Sequence, residues 1–308
     1  HALMEKSEEF NHVIKMGRTQ LQDAVPIRLG QEFHAYATAI RRDINRFDRA
    51  KEEMRHLNLG GTAIGTGLNA DVKYLQRVVK NISLISGLEL IQAYDLIDAT
   101  QNLDGYVACS GIAKSCAVNL SKMCNDLRLM SSGPRTGLGE INLPAKQNGS
   151  SIMPGKVNPV IPEVVNQVAF HVIGNDMTVA MAAEAGQLEL NAFEPIIFYK
   201  LFQSVETIAC AVHTLVDNCI SGITANEQHC KDMVENSVGI ITAICPYVGY
   251  EKAANVAKEA IRTGKSVREL VIRDKLLTKE QLDIILNPVS MTEPGISGIE
   301  AMNKMGGL

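Results

Sequence analysis

Residues 149–159 read Gly-Ser-Ser-Ile-Met-Pro-Gly-Lys-Val-Asn-Pro. The two glycines permit backbone shapes that other residues resist, Pro154 stiffens one side, and Lys156 supplies a fixed positive charge. Such a segment can close as a lid with its N–H groups aimed inward. Asn158 is placed to cap a helix whose first residue is Pro159, and that helix N-terminus adds donors and the positive end of a dipole. Together these features attract a carboxylate or another small anion. They do not make a phosphate-binding P-loop, which needs four residues between its glycines and a Ser or Thr after the lysine. Here five residues separate Gly149 from Gly155, Val157 follows the lysine, and no buried strand leads in.

Ser150 and Ser151 leave two roles open. Serine usually needs a histidine to become a nucleophile or base, and none lies nearby in sequence, although a distant one could fold in. The Gly-x-Ser-x-Gly elbow is missing as well. From the residues alone both serines read as hydrogen-bonding groups for a substrate, with a chemical role as the alternative. Two further polar, glycine-containing segments break the helical pattern, residues 17–23 (GRTQLQD) and 61–69 (GTAIGTGLN). Loops of this kind on rigid helices are where small-molecule sites form.

The elements that must position these loops are long helices. Between residues 30 and 58 apolar side chains fall at Phe33, Ala37, Ile40, Ile44, Phe47 and Met54, before Gly60 and Gly61. A helix of that length is roughly 40 Å long at 1.5 Å per residue, which implies bundle or coiled-coil packing. The pattern returns over 106–130 through Cys109, Ala113, Cys116, Leu120, Met123, Leu127 and Met130. A third helix is expected from Pro159 through Ile161, Val165, Val168 and Val172, and a fourth from Pro195 through Ile197, Leu201, Val205, Ile208, Val212 and Leu215. All four stripes read as core. Beyond Gly222 the helices become short: 251–262 before Gly264, one capped by Ser266, and one opened by a Thr278–Gln281 capping box. These changes divide the chain into a helical-bundle domain over 1–222 and a small helical domain over 223–308.

Composition narrows the partners. A net charge of -4 and a pI near 6.0 give no electrostatic footprint for nucleic acid. Arg41, Arg42, Arg46 and Arg49 are interleaved with Asp43, Asp48, Glu52 and Glu53, as on a solvated helix face. Seven cysteines without a C-x-x-C pair suit a reducing compartment and offer no zinc site, and His229 beside Cys230 reads as chance adjacency. No unbroken apolar run approaches the roughly 18 residues of a membrane span, and no signal-peptide pattern opens the chain. The expected location is the cytoplasm.

The segment GSSIMPGKVNP is similar to the signature of the aspartase/fumarase superfamily, homotetrameric lyases that leave fumarate by eliminating ammonia, water or an amine. The resemblance extends over essentially the whole chain, through GRTQLQDAVPIRLGQEF, GTAIGTGLN, LRLMSSGPR and TGKSVREL. Gln20, Asp98-Ala99-Thr100 and the run 182–191 resemble the aspartase branch. Class II fumarases typically carry a histidine at the position of Gln20 and differ in the other two places.

The resemblance implies an all-α fold, a long-helix bundle assembled across a tetramer and followed by a small C-terminal helical domain. It implies reversible deamination of L-aspartate to fumarate and ammonia, by anti β-elimination through an aci-carboxylate. Ser150, as an oxyanion, would remove the C3 proton. Lys156 and Asn158, with Ser151, would bind substrate, while Thr19 and Gln20 would hold its other end from a neighbouring subunit. Glu163 matches the acidic residue that pairs with the position of Gln20, an orienting role. A dry closed loop rich in N–H donors would stabilise both the alkoxide and the dianion that follows it.

No cofactor, metal, nucleic acid or membrane is expected as a partner. The alternatives are a fumarase or another fumarate-forming lyase, and a catalytically inactive helical scaffold. The resemblance also implies a preceding region, expected to be missing from this chain, whose Ser-, Thr- and Asn-rich loop would complete the site from a third subunit. The 308-residue chain alone is therefore expected to be inactive or nearly so.

Overall fold

The computed structural model describes residues 1–147, 153 and 155–305. The chain divides into two compact units, one formed by residues 1–37, 129–144 and 220–308, the other by 38–128 and 145–219. Among the described residues strands occur in three two-stranded pairings, and helices make up the rest of the regular structure. This is the expected all-α architecture.

In the first unit, helix α1 (Ala2–Glu9) leads into an antiparallel hairpin, β1 (Ile14–Thr19) and β2 (Gln22–Arg28). Residues 17–23, expected from their polar, glycine-containing composition to be a loop, lie within this hairpin. Its core side is Met16, which packs in one cluster with Val234, Ile240, Ile244, Val256, Leu270, Leu282 and Ile285. The hairpin is thus seated on the C-terminal helices by apolar burial, the main favourable term in such packing.

The caps of these helices follow their sequence signals. Gly264 adopts a φ of 70° at the end of the helix Tyr250–Thr263. Ser266 Oγ accepts from Glu269 N at 3.2 Å, and Thr278 with Gln281 forms both halves of a capping box.

The long helices are α2 (Leu29–Glu53), α3 (Asp104–Met130), α4 (Val160–Glu184) and α5 (Glu194–Asn218). Helix α2 ends at Glu53, short of the predicted Asn58, because His56 and Leu57 pair in parallel with Ile91 and Gln92. Every predicted core position of α3, from Cys109 to Met130, is buried. Elsewhere the stripes are only partly covered within the chain: Phe33 is buried but Ile44 is 57% exposed, and Val205 and Val212 of α5 face outward. Asp43, read as part of a solvated face, is buried; it accepts from Asn119 Nδ2 at 2.9 and 3.0 Å and from Arg46 at 2.5 Å.

In the second unit α4 packs along α5. Asn175 Nδ2 donates to Ser204 Oγ at 3.1 Å, while Val179, Ala182 and Ile197 close one end against Leu103. No apolar run long enough to span a membrane is expected from the sequence. The stretch Glu194–Gly222 nevertheless meets that length and apolarity, with a mean hydropathy of 1.2, because its charged residues are too widely spaced to lower the average. Only 28% of that window is buried inside the chain.

Candidate active site

In the first unit the hairpin carries Thr19 and Gln20 to an exposed tip. Thr19 pairs with Gln22, so Gln20 and Leu21 form a two-residue turn, with φ of 54° and 63°. Left-handed conformations at both central positions define a type I′ turn, which Asn-Gly favours and Gln-Leu does not. Each non-glycine residue held there costs on the order of 1 kcal/mol or more, and such strain clusters at functional sites. Leu21 is 68% exposed, so no packing of its own fixes the tip.

The base of the hairpin is tightly fitted. The register shifts between Met16 and Arg18, so that Gly17 faces both Ala24 and Val25 in a bulge. A Cβ on Gly17 would lie 2.7 Å from the Val25 carbonyl oxygen, which is why glycine stands there. Asp23 Oδ2 accepts from Ser237 Oγ at 2.7 Å, tying the second strand down.

Beneath the bulge is a buried charge cluster that sequence reasoning missed. Glu140 is fully buried; its Oε1 accepts from Arg18 Nη1 at 2.6 Å and its Oε2 lies 3.2 Å from Lys15 Nζ. Lys15 also donates to Glu32 Oε1 at 3.0 Å. The side of Cys230 is packed nearby, its Sγ 3.6 Å from the Glu140 carbonyl oxygen. Burial, reinforced by the Glu140 charge, pushes that thiol up to about 12.

In the second unit the residues after the 149–155 segment lead into α4. Lys156 is exposed and Asn158 half-buried. Asn158 is not the N-cap: its carbonyl accepts from Val160 N at 2.9 Å, Pro159 occupies the cap with ψ of 54°, and the helix starts one residue later than predicted. Pro159 has no polar side chain to cap with, Val160 N is taken by the Asn158 carbonyl and Pro162 has no N–H, so this helix start offers a ligand the positive end of a dipole rather than a row of open donors. Ser150 and Ser151 lie outside the described residues.

Glu163, in the first turn of α4, has its Oε1 3.5 Å from Arg128 Nη2. Arg128 Nη1 donates to Asn166 Oδ1 at 3.3 Å, and Asn166 Nδ2 reaches Ser121 Oγ at 2.8 Å and Asn125 Oδ1 at 3.1 Å. Glu163 therefore stands at the open edge of a polar ladder between α3 and α4. Arg128 was legible only as a basic residue in the last turn of a helix, where it suits the dipole. The 61–69 segment is a run of left-handed turns, at Thr62, Gly65, Gly67 and Asn69. Gly65 sits against Ile97, whose Cα would be 2.3 Å from an added Cβ.

The structure thus places Thr19 with Gln20 on one tip and Lys156, Asn158 and Glu163 along one helix entrance. Comparison with known proteins gives these arrangements a context. The family described as Lyase matches residues 1–174, and the one described as Fumarase C C-terminus matches residues 240–293. Aspartate ammonia-lyase of Bacillus subtilis is 56% identical over 300 residues, covering 97% of this chain and 63% of that relative. The Helicobacter pylori protein of the same name is 58% identical over 293 residues, 95% of this chain and 63% of its own length. The Escherichia coli one is 51% identical over 289 residues, with 94% and 60% covered.

Among solved structures, a fumarate lyase:delta crystallin from Brucella melitensis bound to cobalt superposes with a TM-score of 0.91 at 52% identity, over 95% of this chain and 64% of that one. A class II fumarase from Schistosoma mansoni superposes with a TM-score of 0.90 at 33% identity, over the same 95% and 64%. The chain spans just under two thirds of the length of the proteins it matches.

Proposed function

We propose, from the premise that the chain belongs to the Lyase family, that the full-length protein is an aspartate ammonia-lyase converting L-aspartate to fumarate and ammonia. The observation that carries this reading is the 51–58% identity to relatives of that name, against 33% to the class II fumarase. Gln20 in place of the histidine expected of a fumarase points the same way.

In the proposed mechanism Ser150 is the base. Its alkoxide takes the C3 proton, and the electron pair moves into the adjacent carboxyl group to form an aci-carboxylate dianion. Collapse of that dianion expels ammonia from the neighbouring carbon. A serine does this without histidine only where fixed donors stabilise negative charge in a site closed to water. Lys156 and the N-terminal dipole of α4 supply positive potential for a carboxylate, and Asn158 and Ser151 supply side-chain donors. Donors matched to the dianion favour the transition state over bound aspartate.

Thr19 and Gln20 hold the far end of the substrate, presented by the strained hairpin tip of a neighbouring copy. Glu163 orients the group at the position of Gln20. Sharing sites in this way requires an assembly, and a homotetramer is supported by apolar faces that the chain leaves open on α4 and α5. The seven free cysteines suit a cytoplasmic setting. Fumarate absorbance on offering L-aspartate, L-malate and argininosuccinate to the full-length protein tests the substrate, and Ser150→Ala tests the base.

A further inference from the structure

We propose that Glu140 is a positioning residue for the Thr19–Gln20 tip, acting through Arg18 and Lys15. The proposal rests on the reading of that tip as a substrate-binding element.

The tip is strained at Gln20 and Leu21 and has no packing of its own, so its shape must be imposed from the base of the hairpin. Arg18 adjoins Thr19, and whatever fixes its guanidinium fixes the end of β1. Lys15 and Arg18 are three apart, and on a flat strand their side chains would leave from opposite faces. The bulge made by Ala24 and Val25 opposite Gly17 adds twist, and both cations converge on one carboxylate: Arg18 Nη1 at 2.6 Å from Oε1, Lys15 Nζ at 3.2 Å from Oε2.

Glu140 is itself a fixed point. Its N–H donates to the Met130 carbonyl at 2.8 Å, and its own carbonyl accepts from Asn226 N at 2.9 Å. Lys15 is 3% exposed and is held from a second side by Glu32. A single buried carboxylate therefore reads both ends of the bulge and sets the angle at which Thr19 and Gln20 leave it. A charged pair in such surroundings resists displacement because neither partner has water to turn to.

The test is steady-state fumarate formation from L-aspartate by the full-length protein carrying Glu140→Gln, which keeps the shape and removes the charge. Glu140→Asp keeps the charge on a shorter stem, and Arg18→Lys keeps the cation but loses the fork. Thr19 and Gln20 are read as substrate-binding groups, so tilting the tip removes binding that ground and transition states share, and Glu140→Gln is expected to raise KM by about tenfold or more, with the other two intermediate. A merely structural role would lower the amount of folded enzyme, and with it kcat, while leaving KM in place.

A KM in Glu140→Gln unchanged from the wild type overturns the proposal, whatever happens to kcat. If that variant does not fold, Arg18→Lys decides on the same criterion: a raised KM supports the role and an unchanged one overturns it. A wild-type protein that forms no fumarate from L-aspartate defeats the underlying reading and this proposal with it. An active wild type with an unmoved variant KM defeats the role of Glu140 alone.

Discussion

Glu163 Oε1 lies 3.5 Å from Arg128 Nη2, so the acidic residue one turn into α4 is held by a cation from the last turn of α3. Their side chains are 38% and 41% exposed, and a pair so open to water contributes about 0–1 kcal/mol to stability. Glu163→Gln is therefore expected to move the denaturant midpoint by no more than about 1 kcal/mol equivalent. If Glu163 orients the group at Gln20, kcat/KM for L-aspartate falls by roughly 10-fold or more in the same variant. A large loss of stability with activity preserved would reverse the assignment.

The turn at Gln20–Leu21 stores strain that a glycine does not feel. Leu21 has a φ of 63° and is 68% exposed, so Leu21→Gly removes a steric cost and little burial. Relief of the left-handed penalty is expected to stabilise the protein by about 1 kcal/mol, offset in part by the freer unfolded chain. Chemical denaturation measures it; a clear loss of stability would show that the Leu21 side chain is packed.

Four thiols give a stability change in alkali. Burial pushes Cys116, Cys124, Cys219 and Cys230 up to about 12, from an ordinary value of 9.0. The folded chain keeps these protons while the unfolded chain loses them from pH 9 upward. Their contribution is thus fully present below pH 9 and is lost as pH rises toward about 12. Melting temperature against pH should fall in that window, less steeply when the four are replaced by alanine or valine in a variant that still folds. At pH 9 the buried native thiols stay protonated, so iodoacetamide should spare all four until the protein unfolds.

The outer face of α4 carries Phe170 and Met177, 64% and 63% exposed, and α5 carries Phe202 at 66%. Large apolar side chains exposed on neighbouring helices are what an interface would cover. Light scattering of the full-length protein is expected to give four copies, and the pair Phe170→Asp with Met177→Asp is expected to give smaller species. Because the proposed site is shared, fumarate formation should fall with the mass. A double variant that keeps both mass and activity would place the interface elsewhere.

Helix positions were legible because amphipathic spacing is dictated by burial: the stripe from Cys109 to Met130 is buried throughout α3. The same rule overreached at Ile44, Val205 and Val212, where the apolar face is left uncovered within the chain. The hairpin was not legible, since Gln20-Leu21 carries none of the usual turn residues and the Gly17 bulge breaks the alternation. Asp43 and Glu140 could not be told from surface acids, because their partners Asn119 and Arg18 are 76 and 122 residues away in sequence. Lys156 and Asn158 are proposed from chemistry, a lysine and an asparagine flanking a helix start, and the structure places both at the entrance of α4. Ser150 and Ser151 are proposed by motif and lie outside the described residues.

The most direct test of the central claim is the initial rate of fumarate absorbance when the full-length protein is offered L-aspartate and, separately, L-malate. The account predicts fumarate and an equal release of ammonia from L-aspartate, with little or none from L-malate, and loss of the activity in Ser150→Ala by on the order of 1,000-fold or more. Turnover of L-malate without turnover of L-aspartate would contradict it.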